Sequence, residues 1–155
     1  MKSLLAALAL SGALVLPALA EQAQRVDACS LLTREEVKKL APWPDFLDQM
    51  WVKEERSAGG ASCNYPSVYI QIMPMPESGW TRWLEGFKKG SPLEPIADVG
   101  DEAYLRDNRG HSAELLSKVG TRAFTVQLSL NGAQTTQSVK PNVVALGKAL
   151  AAKLR

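Results

Sequence analysis

"SAELLSKVGTRAFTVQLSL", residues 112–130, carries the strongest sheet signal in this 155-residue chain. Phe124, Val126, Leu128 and Leu130 alternate with Thr125, Gln127 and Ser129. Successive side chains of a strand point to opposite faces, so this alternation makes one apolar and one polar face. That pattern belongs to an antiparallel sheet with one side on a core. Val119-Gly120-Thr121 is a turn region that joins a strand over 112–118 to its partner over 122–130.

The same reading extends outward in both directions. Val68, Ile70 and Ile72 alternate with Tyr69, Gln71 and Met73, so residues 62–66 and 67–73 read as extended. Pro74 and Pro76 close that strand. Residues 93–97, with Pro95, fit only an edge strand. A turn at Val99-Gly100 leads into a strand from Glu102 to Leu105, and "DNRG" (107–110) and Asn131-Gly132 are further turns.

Three segments have helical character. Thr33 and Glu36 form a capping box, Leu32 and Val37 a hydrophobic staple, and Pro42 ends the run. That logic assigns the Arg34-Glu35-Glu36 cluster to helix chemistry. In "ESGWTRWLEGFKKG" (77–90), Trp80, Trp83, Leu84 and Phe87 fall at i, i+3, i+4 and i+7, with Ser78 as the expected cap and Gly90 as the end. A last helix is expected from about Lys140 to Lys153, with Pro141 in its first turn and Val143, Leu146, Gly147, Leu150 and Leu154 facing the core. Residues 42–61 lack a period. Trp43, Phe46, Met50 and Trp51 are irregularly spaced, and "KEERSAGGAS" (53–62) reads as an exposed loop or hairpin end. The order predicts an α+β fold: one domain, an antiparallel sheet with helices packed on one face.

The first residues read as an export signal. Lys2 precedes an apolar run from Leu4 to Leu16, Pro17 breaks it, and Ala18-Leu19-Ala20 is a small-x-small cleavage site. Residues 1–20 are therefore expected to be a signal peptide cleaved after Ala20, followed by a short lead-in (21–28) and a domain over 29–155. The expected location is periplasmic or secreted. No later run is apolar for long enough to cross a bilayer. The formal net charge is +2, with both signs mixed along the chain and no basic stripe of the kind that binds nucleic acid.

Cys29 and Cys63 are the only cysteines. Cys29 lies nine residues beyond the cleavage site, too far for a lipid anchor. His111 is the only histidine, too few for a metal site with these thiols. The separation of 34 does not match a Cys-x-x-Cys redox pair. An even count in an oxidising compartment points to a Cys29–Cys63 disulfide.

"CSLLTREEV" (29–37), "CNY" (63–65) and "VGDEAY" (99–104) together resemble a group of secreted and lipid-anchored bacterial proteins of unknown function, abundant in actinobacteria. The architecture is also similar to the extracellular sensor domain of certain mycobacterial serine/threonine kinases. The resemblance implies an antiparallel sheet flanked by helices, the same disulfide and a cell-envelope location. It supplies no catalytic residues. This chain departs from the lipid-anchored members in having no anchor cysteine directly after its signal.

No residue set spells out a reaction. His111, Ser112 and Asp107 are close in sequence, but a triad is defined by geometry. Asp98, Asp101 and Glu102 surround Gly100 and read as a turn; a calcium loop would present more ligands in regular alternation. Trp80 and Trp83 fit the buried stripe of their helix. Trp43 and Trp51 lie outside any period and are the candidate ligand-facing residues. The expectation is a non-catalytic exported module with no cofactor and no metal, binding a small apolar ligand or an envelope protein. The alternative is an inhibitor or accessory protein that acts through a protein surface.

Overall fold

The hairpin read from residues 112–130 lies at the centre of a seven-stranded sheet in the computed structural model, which describes residues 26–57 and 60–155. The strands are β1 (Lys53–Ser57), β2 (Gly60–Asn64), β3 (Val68–Pro74), β4 (Glu94–Pro95), β5 (Glu102–Asn108), β6 (Ser112–Val119) and β7 (Arg122–Ser129). Their order is β1-β2-β3-β7-β6-β5-β4, and every pairing is antiparallel. The helices are α1 (Ala28–Leu31), α2 (Arg34–Leu40), α3 (Glu77–Lys88) and α4 (Thr136–Leu154).

Register explains the two layers of packing. Leu115 pairs with Val126, and Val126 with Ile70; these point to one face. There they meet Leu32 and Val37 from the α1–α2 region and Val143, Leu146 and Leu150 of α4 in the main core. Leu116, one residue on, points the other way. With Ala123 it packs against Trp80 and Leu84 of α3 and Met75 before it. The α+β class, the antiparallel sheet and the disulfide are as expected. The placement of all helices on one face is corrected: α1, α2 and α4 share a face, and α3 covers the other. The Leu115-Leu116 doublet is the reason. It breaks the alternation and offers each face an apolar group, and the aromatic stripe of α3 needs such a partner.

The second face also holds charge. Glu114 is buried on β6, ion-paired with Arg106 across the strand boundary. Its other oxygen accepts from Gln127 Nε2 at 2.8 Å. The Arg106 guanidinium lies 4.0 Å from the Phe87 ring centroid, beneath the end of α3. A buried carboxylate is tolerable here because both oxygens are occupied.

Helix ends follow local chemistry, with two departures. The capping box of α2 is as read: Glu36 N–H donates to Thr33 Oγ1 at 3.2 Å, and Thr33 N–H to Glu36 Oε2 at 2.7 Å. The latter bond holds the Glu36 carboxyl below its usual range. α3 begins at Glu77 behind Pro76 with no side-chain cap, so Ser78 lies inside the helix. α4 begins at Thr136, capped by Thr135 and Ser138, which places Pro141 in the second turn. Its missing N–H frees one carbonyl on an exposed stretch. Gly147 lets α4 seat closely on β6. A Cβ there would stand 2.1 Å from Leu115 Cδ2 and 3.1 Å from Val99 Cγ1.

The N-terminal corner is stapled. Asp27 caps α1 by accepting from the Cys29 and Ser30 N–H groups, both at 3.0 Å. Cys29 joins Cys63 of β2, with Cα atoms 5.1 Å apart. Tyr65 donates its hydroxyl to the Leu32 carbonyl at 2.7 Å. Of the two readings of residues 53–62, an exposed loop or a hairpin end, the second holds: Lys53–Ser57 pairs antiparallel with Gly60–Asn64 and is the terminal strand, and an edge strand needs no apolar face. The expected signal segment lies outside the described residues, among which no helix is long and apolar enough to cross a membrane.

Two predictions follow from this corner. On the chain-entropy model, closing a loop of this length stabilises the fold by about 3.5–4 kcal/mol. The Cys29→Ser/Cys63→Ser variant should therefore lose about 3 kcal/mol in urea titration; a loss below about 1 kcal/mol would contradict the staple. Burial pushes the Tyr65 phenol from 10.0 up to about 12. Stability from the neutral phenol is thus complete below pH 10 and is lost as pH rises through about 12. Tyr65→Phe should remove that alkaline loss and the latest-ionising phenolate absorbance. It should cost about 1–2 kcal/mol at neutral pH, because the Leu32 carbonyl loses its donor.

Candidate functional site

The irregular segment after α2 is shaped by α2 itself. Pro42 and Pro44 prevent the helix from continuing, and residues Asp45–Gln49 form a single 3-10 turn. Such a turn leaves carbonyls without partners. The Arg34 guanidinium supplies the donors: Nη1 reaches Met50 O at 2.6 Å, and Nη2 reaches Asp48 O at 2.7 Å and Leu47 O at 3.4 Å. Lys38, one turn further along α2, bonds Asp48 Oδ2 at 2.5 Å and Asp45 Oδ1 at 2.9 Å. Asp48 Oδ1 accepts from Trp43 Nε1 at 2.9 Å. Lys38 and Trp43 hold the Asp48 carboxyl below its ordinary range, and Asp48 raises Lys38 in return. Asp45 and Asp48 are exposed and Lys38 is half-buried, so their ion pairs act by fixing geometry more than by adding stability.

The clamp has a consequence for the apolar side chains. Leu47 turns inward and packs on the core. Phe46, Met50 and Trp51 turn outward, at 69%, 47% and 84% exposed. They are the exposed large hydrophobics among the described residues. Three such side chains on one six-residue stretch, held by a guanidinium clamp, form a preorganised apolar surface.

The two tryptophans expected to face a ligand are not brought together. Trp43 is 4% exposed and belongs to the main core, with Arg34 5.9 Å from its ring centroid. Its indole N–H is satisfied by Asp48, and its ring is covered by its own chain and not presented to solvent. Trp51 is presented to solvent. Trp80 is buried and donates to Glu102 Oε2 at 2.6 Å, and Trp83 packs beside it at 5.5 Å between centroids.

The remaining polar candidates separate. His111 lies exposed in the β5–β6 turn. Asp107 accepts from Thr136 Oγ1 at 2.6 Å and Gly110 N–H at 2.5 Å, and these bonds hold its carboxyl down. Ser112 Oγ accepts from Asn108 at 3.2 Å. Among the described residues, no hydrogen bond joins the His111 ring to Asp107 or Ser112. Asp101 accepts from Gly120 N–H at 2.7 Å, and Glu102 serves Trp80 and Tyr104. Asp101 and Glu102 thus bond groups outside the Val99-Gly100 turn and not its backbone. No three acidic, histidine or cysteine side chains converge as metal ligands among the described residues. An open cleft of about 480 Å³ lies at the β6–β7 turn, lined by Asp101, Thr121, Arg122 and Arg155 among others, with no residue from 42–52.

Arg34 is the positioning residue that sequence reasoning missed. Its partners lie 13 to 16 positions away, and no local pattern announces them. Arg34→Ala should keep the sheet intact, lower stability by about 1–2 kcal/mol and speed amide hydrogen exchange in residues 47–51 alone. Arg34→Lys should not rescue the protection, because one ammonium cannot span three carbonyls in a planar fork. Unchanged exchange in 47–51 would refute the clamp.

No family model, curated protein or solved structure matches this chain, so its own geometry carries the functional argument.

Proposed function

We propose that this chain is an exported, non-catalytic module of the cell envelope that works by binding another protein through Phe46, Met50 and Trp51. The observation that carries the reading is Trp51, 84% exposed at the end of a clamped turn. Roughly 200 Å² of that side chain faces water, and covering it yields about 5 kcal/mol gross before the costs of association. Tryptophan is the residue type most often found at the energetic centre of interfaces. Export rests on the Lys2 to Ala20 pattern and envelope location on the resemblance of the Cys29, Cys63 and Val99–Tyr104 motifs.

The small-ligand reading needs a concave apolar site beside Trp43 and Trp51. Trp43 is covered by its own chain and Trp51 stands out in solvent, and the cleft of about 480 Å³ at the β6–β7 turn has no residue of 42–52 in its lining, which favours the protein-surface reading.

A photo-crosslinking amino acid placed at position 51, in the native host, should trap a discrete protein adduct. The same probe at exposed Asp98 should not. Trp51→Ala should weaken the trapped complex by about 2 kcal/mol, roughly thirtyfold, with the melting temperature unchanged. Equal adduct at both positions would reject the reading.

A further inference from the structure

We infer that the protein which Trp51 meets is a second copy of this chain, joined edge to edge through β1. This rests on the reading of the 46–51 surface as a protein contact and names its partner. β1 is the terminal strand, paired with β2 on one side only. It starts two residues after Trp51, so the apolar surface and the unpaired backbone are continuous in the chain.

Edge strands are commonly blunted by charge, which repels a second strand. Here the charges suit a reversed copy of themselves. The sequence runs Lys53-Glu54-Glu55-Arg56. A twofold axis normal to the sheet keeps each residue on its own face, so only residues of the same parity can stand opposite each other. One such register sets Lys53 opposite Glu55 of the second copy, twice by symmetry. Both side chains are more than half exposed, at 63% and 55%, and among the described residues they pair with each other at 2.7 Å. In this register Glu54 faces Glu54. Arg56 already holds that carboxylate from Nε at 2.8 Å and Nη2 at 3.3 Å, so the like-charge contact is damped. Trp51 and Met50, just before the strand, then lie over the far end of the neighbouring strand.

The opposite edge explains why assembly stops at two. β4 is only two residues long and contains Pro95. It cannot template another strand. Pairing through β1 therefore closes a dimer with one sheet running through both copies.

Sedimentation equilibrium of the disulfide-intact chain, over a range of concentrations, tests this. A reversible dimer is expected, lost in Trp51→Ser. Glu55→Lys should weaken it about tenfold, because two attractive pairs become repulsive. Lys53→Glu/Glu55→Lys should restore it, since the exchanged charges again stand opposite each other. All three positions are exposed, and circular dichroism melts should match the parent. A monomer at every concentration would overturn the inference, as would a dimer indifferent to the β1 charges. If the chain is monomeric but position 51 still crosslinks to a different protein, self-pairing fails and the protein-contact reading stands. If neither dimer nor adduct forms, both fail.

Discussion

Burial of β6 on both faces is the constraint from which the rest of the architecture follows. Seven of its eight residues are buried. A strand in that position needs a covering layer above and below. α4 supplies one, brought close by Gly147 against Leu115. α3 supplies the other, with Trp80 and Leu84 over Leu116. The two layers are unequal in character. The main core is mostly aliphatic around Trp43, Tyr65 and Phe124 and includes the disulfide, whereas the α3 side combines aromatic rings with the Arg106–Glu114–Gln127 network. That network fills positions where the polar face of β6 and β7 would otherwise be buried without partners.

The sheet is secured unevenly toward its ends. On the β4 side the last strand is two residues long, with Lys140 of α4 ion-paired to Glu94. On the β1 side the Cys29–Cys63 bridge and the Tyr65 hydroxyl tie α1 and the start of α2 to β2 and the residue after it. This anchorage fixes the direction of α2. Its basic residues can then reach across to the 45–50 turn. The exposed surface is therefore a late consequence of the staple: crosslink, helix orientation, guanidinium clamp, outward tryptophan.

Three of the carboxylates singled out in the sequence are each committed to a structural bond. Asp107 caps a turn and holds Thr136, Asp101 holds Gly120, and Glu102 holds Trp80 and Tyr104. The exposed apolar residues lie beside a strand edge that has no partner strand among the described residues. Exposing Phe46 and Trp51 has a solubility cost that a clamped geometry does nothing to reduce, and the proposed binding role would account for it.

Much of the fold was legible from residues alone, because period-two alternation and capping chemistry act within a few positions. The β3 and β6–β7 strands, the α2 capping box and the stripe of α3 came from such short-range patterns, and the Cys29–Cys63 pairing from there being two cysteines to join. β1 was not legible: four charged residues in a row carry no alternation, and only pairing with β2 makes them a strand. The side of the sheet taken by α3 hung on which neighbour of a Leu-Leu doublet it would choose. The apolar residues of 42–51 were visible in the sequence, but not their directions. Trp43 and Trp51 look equivalent there. One is buried and the other presented because Arg34 and Asp48 bind carbonyls and an indole N–H that the chain brings near only after folding. Local propensity determined the elements; which side chains were left for a partner was decided by contacts between residues far apart in the chain.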